Sequence, residues 1–500
     1  MKSEAASASR TASLQTSSGR PPARRAEGTP PRAASSFLLG ALAAFLVLAA
    51  ALSAHGFLGD IGWDVSNGLW ILRHGQIPLH NYLSRAMYGA AWSNAEWLYA
   101  LYAGVFFRAL GPVGVYFGLL PVLALTALLL AVSAKRLGPY WDVLWPTAAA
   151  LTLMEGMSPR PQLFSYLLFA FALYAVGRWR EGDRRLLWIA ALTSLPWTNL
   201  HGSVVLLPLV LALELLFAPR PERRALVGPL FLSVVLLAVH PGGLAGTFSN
   251  FGHVGSSGNL NTILEWASPS FHSPWTWPTL AALLLGLGFL LPAQFRARRH
   301  ADAVLLLGSA AAMLYAVRFL PYLMILLALR APDYLPPRLT LRGAPDERPA
   351  AWRSLALGVL MTLLLALPLV RGPVFPVRYP AQAFAWLKAH HAQNVFNWYP
   401  IGSTLEAYGV QPYLDGRDNL WLQRSWWPQY VAVTQGRESV LTYLRQEDPS
   451  ARYVLWNVRT PVALTLDASK SWRRVVTDPN RADPEYATLG AYAVWERVGK

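Results

Sequence analysis

The chain has 500 residues, of which 54% are hydrophobic and only 14% charged, a balance that excludes a string of ordinary soluble domains, which need more surface charge. Its formal net charge of +16 does not point to nucleic acid, because the basic residues stand in short clusters between apolar runs, as in membrane proteins that fix their orientation this way. Cysteine is absent, which excludes disulfides and thiolate metal sites.

Met1–Ser35 carries six Lys/Arg against two Glu and shows no apolar periodicity. It reads as a disordered basic tail on the cytoplasmic side, in contact with lipid headgroups. Ser36–Ala54 is uncharged and long enough to cross a bilayer, so it reads as a retained first span. The segment that follows, 57–96, reads as an outer loop, and it carries Asp60, Asp64 and Glu96 among glycines and aromatics. Further apolar runs recur at Trp97–Leu110, Val113–Ala134, Trp141–Met157, Leu163–Val176, Leu186–Asn199, Val204–Phe217 and Leu226–Val239. They resume at Trp277–Leu291, Ala303–Val317, Phe319–Leu329 and Leu355–Val370. The expectation is an α-helical polytopic domain over residues 36–371 with about 11–13 spans, several of them short for a full crossing.

The basic clusters Lys135-Arg136, Arg178–Arg185, Arg220–Arg224, Arg296–Arg299 and Arg338–Arg353 are expected on the cytoplasmic side. The segments between them, Gly156–Gln162, Asn199–Gly202, His240–Pro274 and Val317–Phe319, then face outward with the 57–96 loop. Two full spans at Trp97–Leu110 and Val113–Ala134 would place Lys135-Arg136 outside. Either one of those runs is a partial span or that cluster breaks the rule, and counting alone leaves the side of the C-terminus open. From Gly372 charge returns and the runs shorten, which predicts a small soluble α/β domain over 372–500. A helix is expected at Pro380–His390 and strands at Arg452–Val458, Trp472–Thr477 and Tyr492–Val498.

The outward segments hold the residues that could carry chemistry. Asp60 and Asp64 are four apart and would share a helix face. Such a pair can hold a divalent metal, Mg or Mn, or one acid can take a proton from an attacking hydroxyl; as interface acids or caps they would only be solvated. Glu96 stands at the mouth of the next run, where an unpartnered acid is costly. Arg160 and Arg318 suit phosphate through their planar forks, although a lone arginine also snorkels or pairs with an acid. His201 and Glu265 complete the set, and a histidine in such a turn is often only a hydrogen-bonded structural residue. No P-loop, GxGxxG or HExxH pattern is present, so nucleotide hydrolysis and zinc proteolysis have no support.

The run Asp60, Trp63, Gly68, Trp70-Ile71-Leu72, His74-Gly75, Ile77-Pro78, then Trp92 and Glu96-Trp97-Leu98 resembles the first outer loop of a bacterial family of GT-C-type membrane glycosyltransferases. Arg160-Pro161-Gln162-Leu163-Phe164-Ser165, Asn199-Leu200-His201-Gly202, Glu265-Trp266, Arg318-Phe319, Tyr399, Gly402 and Tyr413 with Asp415-Gly416-Arg417 are similar to its later motifs, in the same order. The resemblance spans residues 36–498. It implies a sugar taken from a polyprenyl-phosphate carrier, an acid of the first outer loop as base or metal ligand, and an outward C-terminal domain. Asp64, Ala95 and Asn81 depart from the family pattern, which often has His, His and Asp at those positions.

The expectation is therefore a multi-pass protein of a bacterial inner membrane that transfers a sugar to an envelope glycan, lipid or protein acceptor at the outer face. Asp60, Asp64 and Glu96 are the expected catalytic acids, with Asp60 and Asp64 as the metal pair. Arg160, His201, Glu265 and Arg318 are the expected substrate-binding residues, and Asp415 and Arg417 an expected structural pair. The expected partners are the lipid-linked sugar, its acceptor and the bilayer, with no nucleic acid. The alternative is a non-enzymatic membrane protein: a transporter, an envelope-polymer assembly factor or an inactive scaffold of the same fold.

Overall fold

The computed structural model describes residues 32–54, 59–134, 137, 140–249, 264–272, 276–335, 356, 359–360, 380–421, 424–478 and 491–498. Most of the expected tail, the clusters Lys135-Arg136 and Arg338–Arg353, and nearly all of the run Leu355–Val370 lie outside the described residues.

Helix α1 (Arg32–Ala54) begins within the stretch expected to be tail. It packs against α4 (Pro112–Ala134) and α5 (Trp141–Thr152). Among the described residues three helices are long and apolar enough to cross a membrane: Phe37–Ala54, Pro112–Ala134 and Trp277–Arg296. Others are too short for a full crossing. The helix α3 (Trp97–Leu110) has 14 residues, a rise of about 21 Å, against a hydrocarbon core of about 30 Å. That is the length of a partial span. Leu186–Asn199, expected as one run, forms α7 (Arg185–Leu192) and α8 (Ser194–Leu200), parted at Thr193. Pro196 lacks an amide proton and its ring crowds the carbonyl four residues back, which fits a break one turn before it, although α4 and α5 accommodate Pro121 and Pro146 without one. Between α5 and α7 runs α6 (Gln162–Arg180), 19 residues from one end of the bundle to the other.

The 57–96 segment is not an open loop. It contains α2 (Ile61–His74), which buries Ile61, Trp63, Val65 and Ile71 and ends on Gly75 in the left-handed region at φ 66°. Close helix approach explains the glycines of α2. A Cβ on Gly68 would collide with the Ala100 carbonyl of α3, and one on Gly62 with the Ser403 carbonyl of the C-terminal region. The helix is thereby held between the bundle and the C-terminal domain.

That domain carries a four-stranded sheet in the order β1-β2-β4-β3, formed by β1 (Val395–Asn397), β2 (Tyr453–Asn457), β3 (Trp472–Asp478) and β4 (Tyr492–Arg497). β1 is parallel to β2 and the other pairs are antiparallel, with a bulge between Arg474 and Val476. The helix expected at Pro380–His390 is Ala381–Ala389. β1 was not foreseen; three residues are too few to show alternation.

Trp63, Leu83, Met87 and Trp92 of the outer loop share one core with Phe396, Tyr413, Trp421, Tyr430 and Trp456. Arg85 forms an ion pair with Asp448 across the same junction. The loop and the C-terminal domain are therefore one packing unit.

Candidate active site

Every residue singled out from the sequence except the pair Asp415 and Arg417 lies at one end of α6, beside Arg160. Asp60 precedes the first turn of α2 and makes no side-chain cap to it; its Oδ2 lies 3.4 Å from Arg160 Nη2. The other terminal nitrogen of Arg160 donates to Glu265 Oε2 at 2.8 Å. One guanidinium thus joins an acid from the outer loop to an acid from the segment 264–272. Burial raises the pKa of Asp60 above the ordinary aspartate value, with Arg160 opposing it. Burial also raises that of Glu265, but there Arg160 and Arg318 outweigh it and hold the carboxyl below its ordinary value.

Asp64, one turn further along α2, is fully buried, and neither of its oxygens has a hydrogen-bond partner among the described residues. Burial first, then the charges of Glu96 and Asp60, push its pKa well above the ordinary range. Burial there favours the protonated carboxyl. The two aspartates therefore differ in setting: Asp60 is paired with a cation, and Asp64 is enclosed without a hydrogen-bond partner among the described residues.

Glu96 is set by an asparagine pair. Asn67 of α2 donates to Asn94 Oδ1 at 2.8 Å, and Asn94, at φ 47°, donates to the Pro78 carbonyl at 3.0 Å. Glu96 Oε1 comes to 3.7 Å from His201 Nε2. Burial, then Arg318, lowers the His201 pKa to about 3, so the ring is neutral and this contact is not an ion pair. The other ring nitrogen of His201 accepts from the Ser203 amide at 3.2 Å. Trp97 Nε1 donates to Asn199 Oδ1 at 2.6 Å and fastens α3 to the end of α8.

Arg318 is held differently from Arg160. Its guanidinium lies over the Trp266 ring, 4.1 Å from the centroid, and among the described residues it forms no ion pair. It is only partly buried, yet close enough to bear on Asp60, Glu265 and His201. A stacked guanidinium without a carboxylate is a ready site for an anion. The sequence showed Trp266 beside Glu265 but not that it would support a residue about fifty positions away.

Asp60 and Asp64 offer the hard oxygen donors that Mg or Mn takes. As arranged they do not form a cage: Asp60 faces a guanidinium, Asp64 is enclosed, and no three Asp, Glu or His side chains among the described residues could hold an ion together.

Asp415 and Arg417 form the structural pair expected of them, at 2.5 Å. Arg417 also donates to Asn81 Oδ1 at 2.6 Å and stacks over Trp92 at 4.5 Å. Asn81 thus receives a hydrogen bond from the C-terminal domain and has a structural partner of its own. A second charge cluster sits at the far end of α6. There Arg180 joins Glu214 at 2.5 Å and Asp302 at 2.8 Å, with Arg330 3.5 Å from Asp302. The two clusters are separated by the 19 residues of α6, about 28 Å, close to a bilayer core.

No protein-family model and no curated protein matches the sequence. The fold is shared with a solved membrane-protein class. The archaeal oligosaccharyltransferase AglB from Archaeoglobus fulgidus, in complex with an inhibitory peptide and a dolichol-phosphate, is similar over 85% of this chain and 69% of its own, at 11% identity and TM-score 0.56. The same enzyme tethered to an acceptor peptide containing the NVT sequon gives TM-score 0.57 at 11% identity, with the same coverage. Its complex with Zn and sulfate gives 0.51 at 13% identity, over 85% of this chain and 68% of that one. At these identities the likeness shows a shared fold alone, in this chain mostly helical with a small C-terminal sheet.

Proposed function

We propose that this protein is a membrane glycosyltransferase that takes a sugar from a polyprenyl-phosphate carrier. The observation that carries the reading is the gathering of Asp60, Glu96, Arg160, His201, Glu265 and Arg318, from separate parts of the chain, at one end of the bundle, with two acids paired to one arginine and the other arginine without a carboxylate among the described residues. The AglB structures hold a dolichol-phosphate in one case and an acceptor peptide in another, which supports a lipid-linked donor and a separate acceptor here.

In this reading Arg318 binds the carrier phosphate through its planar fork. Asp60 accepts the proton of the acceptor as its nucleophilic atom attacks the anomeric carbon. The carbon–oxygen bond to phosphate breaks, its electron pair leaves with the carrier phosphate, and the configuration inverts. Arg160 holds Asp60 and Glu265 in place, and neutral His201 and Glu96 line the sugar side. Asp64 stays protonated and does not compete with Asp60 for the proton. The site faces the outer side of an inner membrane, residues 372–500 lie on that same side, and the bundle crosses the bilayer through more helices than the three longest.

Asp60→Asn keeps size and removes the base. It is expected to abolish transfer from radiolabelled polyprenyl-phospho-sugars while expression and membrane insertion stay normal. Normal product from that variant would refute the assignment of Asp60 as the base.

A further inference from the structure

Asp60 also meets the C-terminal domain. The turn Asp415–Arg417 comes up to its carboxylate, and Gly416 is the residue that meets it. A Cβ on Gly416 would stand well inside 3.0 Å of Asp60 Oδ1 and 3.2 Å from Ser403 Oγ. The turn cannot withdraw to make room. The Gly416 amide donates to Ser403 Oγ at 2.9 Å. Arg417 is fully buried between Asp415, at 2.5 Å, and Asn81 of the outer loop, at 2.6 Å. The Trp421 indole donates to the Asp415 carbonyl at 3.0 Å. Ser403 itself lies on the helix Tyr399–Ala407, whose backbone is in contact with Gly62 of α2. The Asp60 carboxylate therefore has one oxygen against a fixed backbone turn and the other against the Arg160 guanidinium.

We infer that Gly416 is a positioning residue for Asp60: its bare Cα lets the Asp415–Arg417 turn press on the carboxylate and fix the direction in which it faces the acceptor. The C-terminal domain is then part of the catalytic geometry and not only a shelf for the acceptor. The role rests on the reading of Asp60 as the base, whereas the contact does not depend on it. Gly416→Ala is the direct perturbation. The group it strikes is the free end of a short side chain and not backbone, so the fold survives and the carboxylate rotates away.

Two measurements on the full-length protein in detergent or nanodiscs test this. The first is transfer kinetics with a polyprenyl-phospho-sugar donor. Gly416→Ala should lower kcat by about 100-fold, the scale of a displaced catalytic group, with KM for donor and acceptor within about twofold of the unaltered protein. The second is a thermal double-mutant cycle. Gly416→Ala should lower Tm by about 2 °C or more in the native chain and by much less in an Asp60→Ala background, where the collision is gone.

Equal Tm losses in the two backgrounds would overturn the inference whatever Asp60 does. A coupled cycle with unchanged kcat would overturn the positioning role. Normal transfer by Asp60→Asn would overturn the catalytic reading instead, and the cycle would still report the contact.

Discussion

The two arginines of the site are chemically alike and structurally opposite, and that difference can be measured. Arg160 is committed to two carboxylates, at 3.4 and 2.8 Å. Arg318 lies on Trp266 at 4.1 Å and has no carboxylate among the described residues. Replacing Arg318 by Ala should therefore weaken donor binding. A charge-assisted hydrogen bond contributes about 1.5–3 kcal/mol, and about 1.4 kcal/mol corresponds to tenfold. The KM for the polyprenyl-phospho-sugar is then expected to rise about 10- to 150-fold, with a smaller change in kcat. Arg318→Lys keeps the charge but loses the fork and the flat stack, a contribution of about 0.5–1 kcal/mol at a partly exposed site. It should fall between the two. The assay is initial-rate transfer in nanodiscs with donor varied at saturating acceptor. Arg160→Gln provides the contrast: it strands Asp60 and Glu265, and should act on kcat more than on donor KM. An Arg318→Ala variant with unaltered donor KM would refute the assignment of the phosphate to Arg318.

Two further outcomes concern the fold and its pH response. Gly68→Ala places a methyl against the Ala100 carbonyl and the Gly104 backbone. Because backbone cannot swing aside, α2 and α3 must separate, at about 1–3 kcal/mol; Gly308→Ala, with nothing within 4 Å, is the matched control in a thermal unfolding comparison. Glu406 is buried, close to Asp415. Burial first, then the charge of Asp415, raises its pKa well above the usual 4.5. The folded chain thus keeps a proton that the unfolded chain releases. Its contribution to stability is complete below the unfolded value and is lost as pH rises toward the raised one. Glu406→Gln should flatten the fall of Tm with rising pH; an identical slope in both proteins would contradict this.

Composition and clustering of charge settle the class of this protein. A chain with so few charges cannot coat several soluble domains, and its apolar runs alternate with basic clusters. The same logic brings out the acids, the arginines and the histidine. An ionisable residue at the end of an apolar run is costly unless it has a partner, so Asp60, Glu96, Arg160, His201, Glu265 and Arg318 stand out before any fold is known. The strands of the C-terminal sheet are also legible, because β2, β3 and β4 are long enough to show their character.

What the tertiary structure alone decides is which of those residues meet, and in what state. Spacing puts Asp60 and Asp64 on one helix face, but only packing makes one of them cation-paired and the other enclosed. No local pattern shows that Trp266 supports Arg318, or that Gly416 stands against Asp60, since these pairs are joined through space and not through a turn of helix. Helix ends follow the same division. The apolar run 186–199 is continuous in hydropathy, yet it is parted at Thr193; the 57–96 segment reads as a loop, yet Ile61–His74 within it is a helix packed between the bundle and the C-terminal domain. Local sequence fixes a residue's own preferences and costs, whereas the partner that offsets a buried charge comes from elsewhere in the chain, and only the folded arrangement supplies it.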